Sequence, residues 1–314
     1  MARISGGASR ETYRFTASWT EGDAACERKL ILRRDPPASL IDTERRIEFE
    51  AYRAFRGSSV PVPEMLWLEE GNGPLDHPFF IAEEIAGYQA GPGLLWTDPY
   101  LASHRHLAQR KWSILGDIAR ADPDAVGLTG VMPAVQAEDC WRRELGIWED
   151  ILDADEAEPM PIIRAAIRWL RANPPPPAQK VGVVHGDYRT GNFLFDTQGE
   201  IHGILDWEMA HLGDPLEDLG WSLNPIWSFG RGLAGGLVPQ DQAVAIWEQA
   251  SGLQADPAAL YWWTLFNCVK GQAIWVSSAR AWLDGGNREP IMVYPAWAMT
   301  NAQDRAVLQV MGRV

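Results

Sequence analysis

Cysteine is scarce in this 314-residue chain: Cys26, Cys140 and Cys268 are odd in number, widely spaced and form no C-x-x-C pair. A disulfide framework and a cysteine zinc site are therefore excluded, and a reducing compartment, the cytoplasm, is expected. Basic residues are also short, with 28 Lys and Arg against 42 Asp and Glu, a formal charge of −14 and a pI near 4.9. Such a surface repels nucleic-acid phosphates, so no nucleic-acid partner is expected. It would favour a cation if a field effect operated, although acidic surfaces also serve solubility alone. Long apolar runs are missing. None approaches the ~20 residues of a membrane helix and the N-terminus turns polar within ten residues, so neither membrane insertion nor secretion is expected.

What is present is a globular composition, 46% apolar and 22% charged, in a chain long enough for one large or two ordinary domains. The 16 tryptophans are an excess best explained by packing. The chain is organised around residues 183–195, Val-Val-His-Gly-Asp-Tyr-Arg-Thr-Gly-Asn-Phe-Leu-Phe, followed by Ile204-Leu205-Asp206-Trp207-Glu208. Two apolar β-type runs flank a polar loop, a stiff frame carrying reactive groups. His-x-Asp-x4-Asn, then an Asp beyond a short hairpin, is the layout of a phosphoryl-transfer centre. Asp187 would accept the proton of a substrate hydroxyl, and Asn192 and Asp206 would offer oxygen ligands to Mg2+, a hard cation. His185 suits a structural hydrogen-bonding role. A metal-dependent hydrolase using His185, Asp187, Asp206 and His211 is the competing assignment.

The stretches "HGDYRTGNFLFD" and "ILDWEMAHLGDPLEDLGW" resemble the aminoglycoside phosphotransferase and choline kinase superfamily, relatives of the protein kinases. The resemblance implies an α+β, bilobal protein-kinase-like fold with a small antiparallel β-rich N-lobe and a larger, mainly helical C-lobe. Residues 1–88 would form the nucleotide-binding lobe and 89–314 the catalytic and acceptor-binding lobe. It implies transfer of the γ-phosphoryl of ATP, with Mg2+, to a hydroxyl of a small molecule. Trp207 stands where protein kinases carry the Phe of D-F-G. Little chain separates it from Gly213-Asp214-Pro215, so no long activation loop and no protein substrate are expected. Aminoglycosides, choline-like amines, sugars and hydroxyacyl thioesters all remain open as acceptors, and so does the oligomeric state.

In the N-terminal part, Gly6-Gly7-Ala8-Ser9 leads into a strand, and Gly7 and Ser9 would let backbone amides meet phosphate. The next β-run carries Arg33 where the family usually has Lys. Arg34 beside it points to the other face, so only one can serve, and Arg33 is the choice. A helix within 41–55, capped by Asp42 or Thr43, would bring Glu50 to Arg33, with Glu48 as runner-up; a surface pair with Arg46 or Arg53 is the other reading of Glu50. Backbone around Glu83, Glu84 and Ile85 would meet adenine.

In the C-terminal part, helices are expected from Asp98-Pro99 onward, over 140–152 and from 162. Asp150, Asp153, Asp155, Glu156 and Glu158 would border the acceptor cleft or simply face solvent. Arg189 would sit near phosphate or in a salt bridge. Asp214 would cap a helix begun by Pro215. From Asp256-Pro257 an apolar segment has the length of a helix pair, interrupted by Lys270 and Gly271. Arg in place of Lys also motivates a second reading, a nucleotide-binding pseudoenzyme.

Overall fold

The structure is a computed structural model that describes residues 1–4, 11–35, 44–71, 73–285 and 290–314. It opens with β1 (Ala2–Ile4), β2 (Glu11–Glu21), β3 (Ala24–Arg34), α1 (Arg45–Ala54), β4 (Met65–Glu69) and β5 (Phe79–Glu83). The five strands make one antiparallel sheet in the order β1-β2-β3-β5-β4. Side chains alternate along a strand. Ile31 and Arg33 therefore share a face, and register sets Arg14 and Thr12 opposite them on β2 and Ala82 and Phe80 on β5. All six line one cavity. Arg34, one residue on, belongs to the other face and pairs with Glu11.

Two 3-10 turns, Pro92–Trp96 and Tyr100–Ser103, precede α2 (His104–Arg120). The helix expected from residue 98 thus starts later. Leu101, ahead of it, is 46% exposed, while Leu107, Trp112, Leu115 and Ile118 keep the helical spacing and are buried. Next come α3 (Cys140–Asp155), α4 (Pro161–Ala172), β6 (Gly182–Val184), β7 (Phe193–Phe195), β8 (Ile201–Ile204), β9 (His211–Gly213), α5 (Leu216–Ser222), α6 (Gln240–Ser251), α7 (Pro257–Leu283), α8 (Pro290–Tyr294) and α9 (Thr300–Val310). An antiparallel sheet followed by a mainly helical region is the α+β, kinase-like arrangement expected.

The expected pair of helices after Asp256 is a single 27-residue helix, α7. Lys270 and Gly271 do not break it. The Lys270 ammonium is satisfied inside the protein by Glu217. At Gly271, a Cβ would stand 2.5 Å from Gln303 Oε1, so the missing side chain lets α9 approach. Asp256 caps the start of α7 through the Ala259 amide, 2.8 Å away. Among the described residues, no helix is long and apolar enough to cross a membrane.

Candidate active site

Two short strand pairs frame the site. β6 pairs antiparallel with β9, and β7 with β8, Phe193 opposite Ile204. The second pair brings residues 192 and 206 to one end of a hairpin, where the Leu205 amide donates to the Asn192 carbonyl at 2.8 Å. Asp187, Asn192 and Asp206 line the same cavity, of about 870 Å³, as the sheet face described above.

Between the strands the 185–192 loop is pinned from below. Asp218 accepts the His185 amide through Oδ2 at 2.6 Å and the Gly186 amide through Oδ1 at 2.9 Å. Lys270 donates to the Gly186 carbonyl at 2.7 Å and to Glu217 Oε1 at 2.9 Å. Gly186 is at φ +85°, and a Cβ there would meet the Met209 carbonyl oxygen at 2.4 Å, so no other residue fits. His185 is fully buried; its Nδ1 accepts the Asp187 amide at 3.1 Å, and its Nε2 donates to the Leu205 carbonyl at 3.0 Å. Burial holds its pKa near 4, so the ring stays neutral and shapes the loop.

The Asp187 carboxylate is held on both oxygens. Oδ1 accepts from Trp221 Nε1 at 2.7 Å and Arg189 Nε at 3.0 Å, and Oδ2 accepts from Asn192 Nδ2 at 2.6 Å. Burial raises its pKa and Arg189 works against that rise. Arg189 is thus in a salt bridge within the site, its guanidinium also lying 4.9 Å from the Trp227 ring centroid. Trp221 was not legible as a partner of Asp187, because an indole N–H donor in an apolar stretch reads as core.

Asp206 sits in the left-handed region, φ 70°, with its amide donating to the Tyr52 hydroxyl at 2.8 Å. Arg33 bridges the two halves of the protein, Nη2 to Asp206 Oδ1 at 2.7 Å and Nη1 to Glu48 Oε1 at 2.5 Å. Burial alone would raise the Asp206 pKa, and Arg33 turns the shift downward. The helical partner of Arg33 is therefore Glu48, fully buried, and the assignment to Glu50 is corrected: Glu50 pairs with Arg53 at 3.2 Å. Two residues on a helix turn the side chain about 200°, which separates these faces.

Glu83, Glu84 and Ile85 line the cavity. The amides of Glu83 and Glu84 are committed to the Glu64 and Lys29 carbonyls, 2.9 and 3.0 Å away. Gly7 and Ser9 lie outside the described residues, as do Asp42 and Thr43. The acidic run does not border the cavity. Arg171 engages Glu149, Arg164 engages Asp153 and Glu156, and Ser277 donates to Asp155. The two histidines of the hydrolase set are engaged elsewhere: both His185 ring nitrogens serve backbone, and His211 Nε2 faces Glu217 at 3.1 Å and Glu144 at 3.6 Å. Asp214 accepts the Leu216 amide at 3.0 Å, the capping role expected, and also the indole N–H of Trp263 at 3.0 Å.

Beneath the loop lies Lys111, fully buried, its ammonium 3.4 Å from Thr190 Oγ1 and its carbonyl accepting from the Tyr188 hydroxyl at 2.7 Å. Burial, then Arg189, lowers its pKa from 10.5 to about 7. Between those values the unfolded chain holds the proton that the folded chain has lost, so this group makes stability rise with pH in that window. Lys111→Met removes the dependence. Relative to the parent, the variant should be most favoured below pH 7 and progressively less favoured towards pH 10.5. Denaturant unfolding of both proteins across that range checks this, and a pH-independent difference would refute it.

A 204-residue stretch is 30% identical to mouse Acyl-CoA dehydrogenase family member 10, covering 62% of this chain and 18% of that protein. Over 208 residues it is 26% identical to human Acyl-CoA dehydrogenase family member 11, covering 63% of this chain and 25% of the other. The chain thus spans a quarter or less of these relatives' length. Among solved structures, a Ralstonia eutropha protein assigned by its description to the aminoglycoside phosphotransferases superposes with TM-score 0.74 at 19% identity, covering 99% of this chain and 92% of the other. A thermostable mutant of aminoglycoside phosphotransferase APH(4)-Ia, in ternary complex with AMP-PNP and hygromycin B, gives 0.61 at 18%, covering 98% and 92%. Plasmodium vivax ethanolamine kinase gives 0.58 at 12%, covering 92% and 78%. At these identities the structural likeness is one of fold. Residues 1–279 match the Phosphotransferase enzyme family, and the chain belongs to it.

Proposed function

We propose that this protein is an ATP- and Mg2+-dependent phosphotransferase that moves the γ-phosphoryl group to a hydroxyl of a small molecule. The observation that carries the reading is the convergence of Asp187, Asn192, Asp206 and Arg33 on one cavity between the sheet and the helical region. We assign residues 1–88 to the nucleotide lobe and 89–314 to the catalytic lobe. Gln89 already pairs with Phe195 of the hairpin, its amide 3.1 Å from the Phe195 carbonyl, which supports a boundary there. Adenine would lie against Ala82 and the segment of Glu83, Glu84 and Ile85, where the Ile85 amide has no partner among the described residues. Arg33 would face phosphate, and Gly7 and Ser9 remain proposed phosphate contacts.

The donor set suits magnesium. Asn192 Nδ2 is committed to Asp187, at 3.0 Å from its carbonyl and 2.6 Å from its carboxylate, which leaves the Asn192 amide oxygen and an Asp206 oxygen as hard ligands. Bound there, the ion would neutralise phosphate charge. In the transfer itself, the acceptor's hydroxyl oxygen would attack the γ-phosphorus, its proton passing to Asp187 Oδ2, while the bond from that phosphorus to the bridging oxygen breaks and ADP leaves. Trp221, Arg189 and Asn192 fix that carboxylate, so the chain's contribution is chiefly positioning and electrostatics. Asp206→Ala should abolish the magnesium-dependent part of nucleotide binding. Titration of ATP with magnesium or with chelator tests it, and an unchanged magnesium dependence would remove Asp206 from the site.

The pseudoenzyme is the second reading, favoured by the Arg33–Asp206 contact of 2.7 Å that engages a proposed metal carboxylate. Magnesium-dependent ATP consumption with any acceptor excludes it.

A further inference from the structure

The cavity's charges point to an acceptor class, an inference that rests on the phosphotransfer reading above. The carboxylates that line the cavity are answered by arginines of the chain itself. Glu84 lies 2.6 Å from Arg14, Asp187 3.0 Å from Arg189, and Asp206 and Glu208 2.7 and 3.8 Å from Arg33. Glu83, the remaining one among the described residues, is exposed at the end of β5, in the segment assigned to the base. A cationic acceptor needs a carboxylate or an aromatic face near the reacting hydroxyl. Here the nearest carboxylate holds Arg189, and the same guanidinium already lies over Trp227. At Asp187, at Trp227 and at Trp221, whose ring centroid lies 5.4 Å from the Lys270 ammonium, the place that an ammonium group would take is filled by a protein cation. The acidic run at 149–158, the sequence's other hint of a cationic ligand, is engaged by Arg164 and Arg171 away from the cavity.

Among the described residues, what remains beside Asp187 is mostly apolar. Met209, Trp221, Ile274, Trp275 and Pro295 line the cavity, and Ser278, the polar exception, donates its hydroxyl to the Met292 carbonyl at 2.8 Å. Trp221, Trp227 and Trp275 form a row with ring centroids 5.4 and 6.5 Å apart. The polar edge of Trp275 is turned to Gln303, Nε1 to Oε1 at 3.3 Å. We propose that the acceptor is an alcohol with an apolar carbon skeleton and no positive charge, its hydrocarbon part lying against Ile274 and Trp275 and its hydroxyl at Asp187.

The test uses primary and secondary straight-chain alcohols of equal length that end in methyl, carboxylate or ammonium, each with ATP and magnesium. The methyl- and carboxylate-ended members should exceed the ammonium-ended one by roughly 100-fold in kcat/KM, since like-charge juxtaposition is costly. Trp275→Ala should raise KM for the best alcohol roughly 10-fold, with KM for ATP unchanged and Trp275→Phe restoring most of the loss. An unchanged ATP dissociation constant in both variants verifies their folding. A preference for the ammonium-ended alcohol, or an acceptor KM indifferent to Trp275→Ala, overturns the inference while leaving phosphotransfer intact. If ATP binds and no alcohol of any class is phosphorylated, the phosphotransfer reading falls and takes the inference with it.

Discussion

Replacing Asp187 with alanine should lower turnover by roughly 10² to 10⁴ while ATP still binds. The two effects separate because, among the described residues, the carboxylate hydrogen-bonds Trp221, Arg189 and Asn192 and none of the 83–85 segment. A proton acceptor removed from a positioned site slows the chemical step; a nucleotide contact removed would raise the dissociation constant instead. Asp187→Asn is the sharper variant, since it keeps the volume and some hydrogen bonds while removing the charge and the basicity. Steady-state kinetics on the true acceptor, alongside nucleotide titration, decides the matter. Full activity in either variant would show that Asp187 is not the base.

The largest structural effect is expected from Lys270→Met. Lys270 is 1% exposed and Glu217 fully buried, and their 2.9 Å contact joins α7 to α5. Burial opposes both charges. Each nonetheless holds the other ionised: Lys270 and His211 keep Glu217 near 2, and Glu217 raises Lys270 above its ordinary range. Truncating one member leaves a buried charge with less compensation, at a cost of about 3–5 kcal/mol. Scanning calorimetry should register a fall in melting temperature on the order of 10 °C. Lys270→Met combined with Glu217→Gln should lose less than the two changes summed. A single variant within 1 °C of the parent would show that the pair contributes nothing to stability.

Much of the fold follows from local pattern. Alternation on β3 sorted Arg33 from Arg34, and the flanking apolar runs gave the hairpin that joins Asn192 to Asp206. The α+β, kinase-like arrangement itself came through resemblance. What sequence could not resolve is which helical face meets which strand. Glu48 and Glu50 both neighbour apolar positions, and only packing turns Glu48 to Arg33 and leaves Glu50 to Arg53. The acidic run over the last turns of α3 and just beyond it was similarly ambiguous, because its partners Arg164 and Arg171 lie on the next helix. Buried lysines are rare, so Lys111 and Lys270 carried no signal of their places under the 185–192 loop. Nor could the length of α7 be foreseen, since an internal lysine and glycine ordinarily mark a break. The roles of Asp218 and Trp221 needed contacts across more than thirty residues of chain.

The attachment of Gly186 sets how this protein responds to heat. Proteins commonly lose function through soft segments that open well before the whole molecule does. Here the loop bearing Asp187 has both leading amides on α5 and its Gly186 carbonyl on α7, through groups that are themselves buried. Freeing the loop therefore leaves the buried Asp218 and Lys270 short of hydrogen-bond partners. Loss of competence at Asp187 should therefore accompany loss of the helical core rather than precede it.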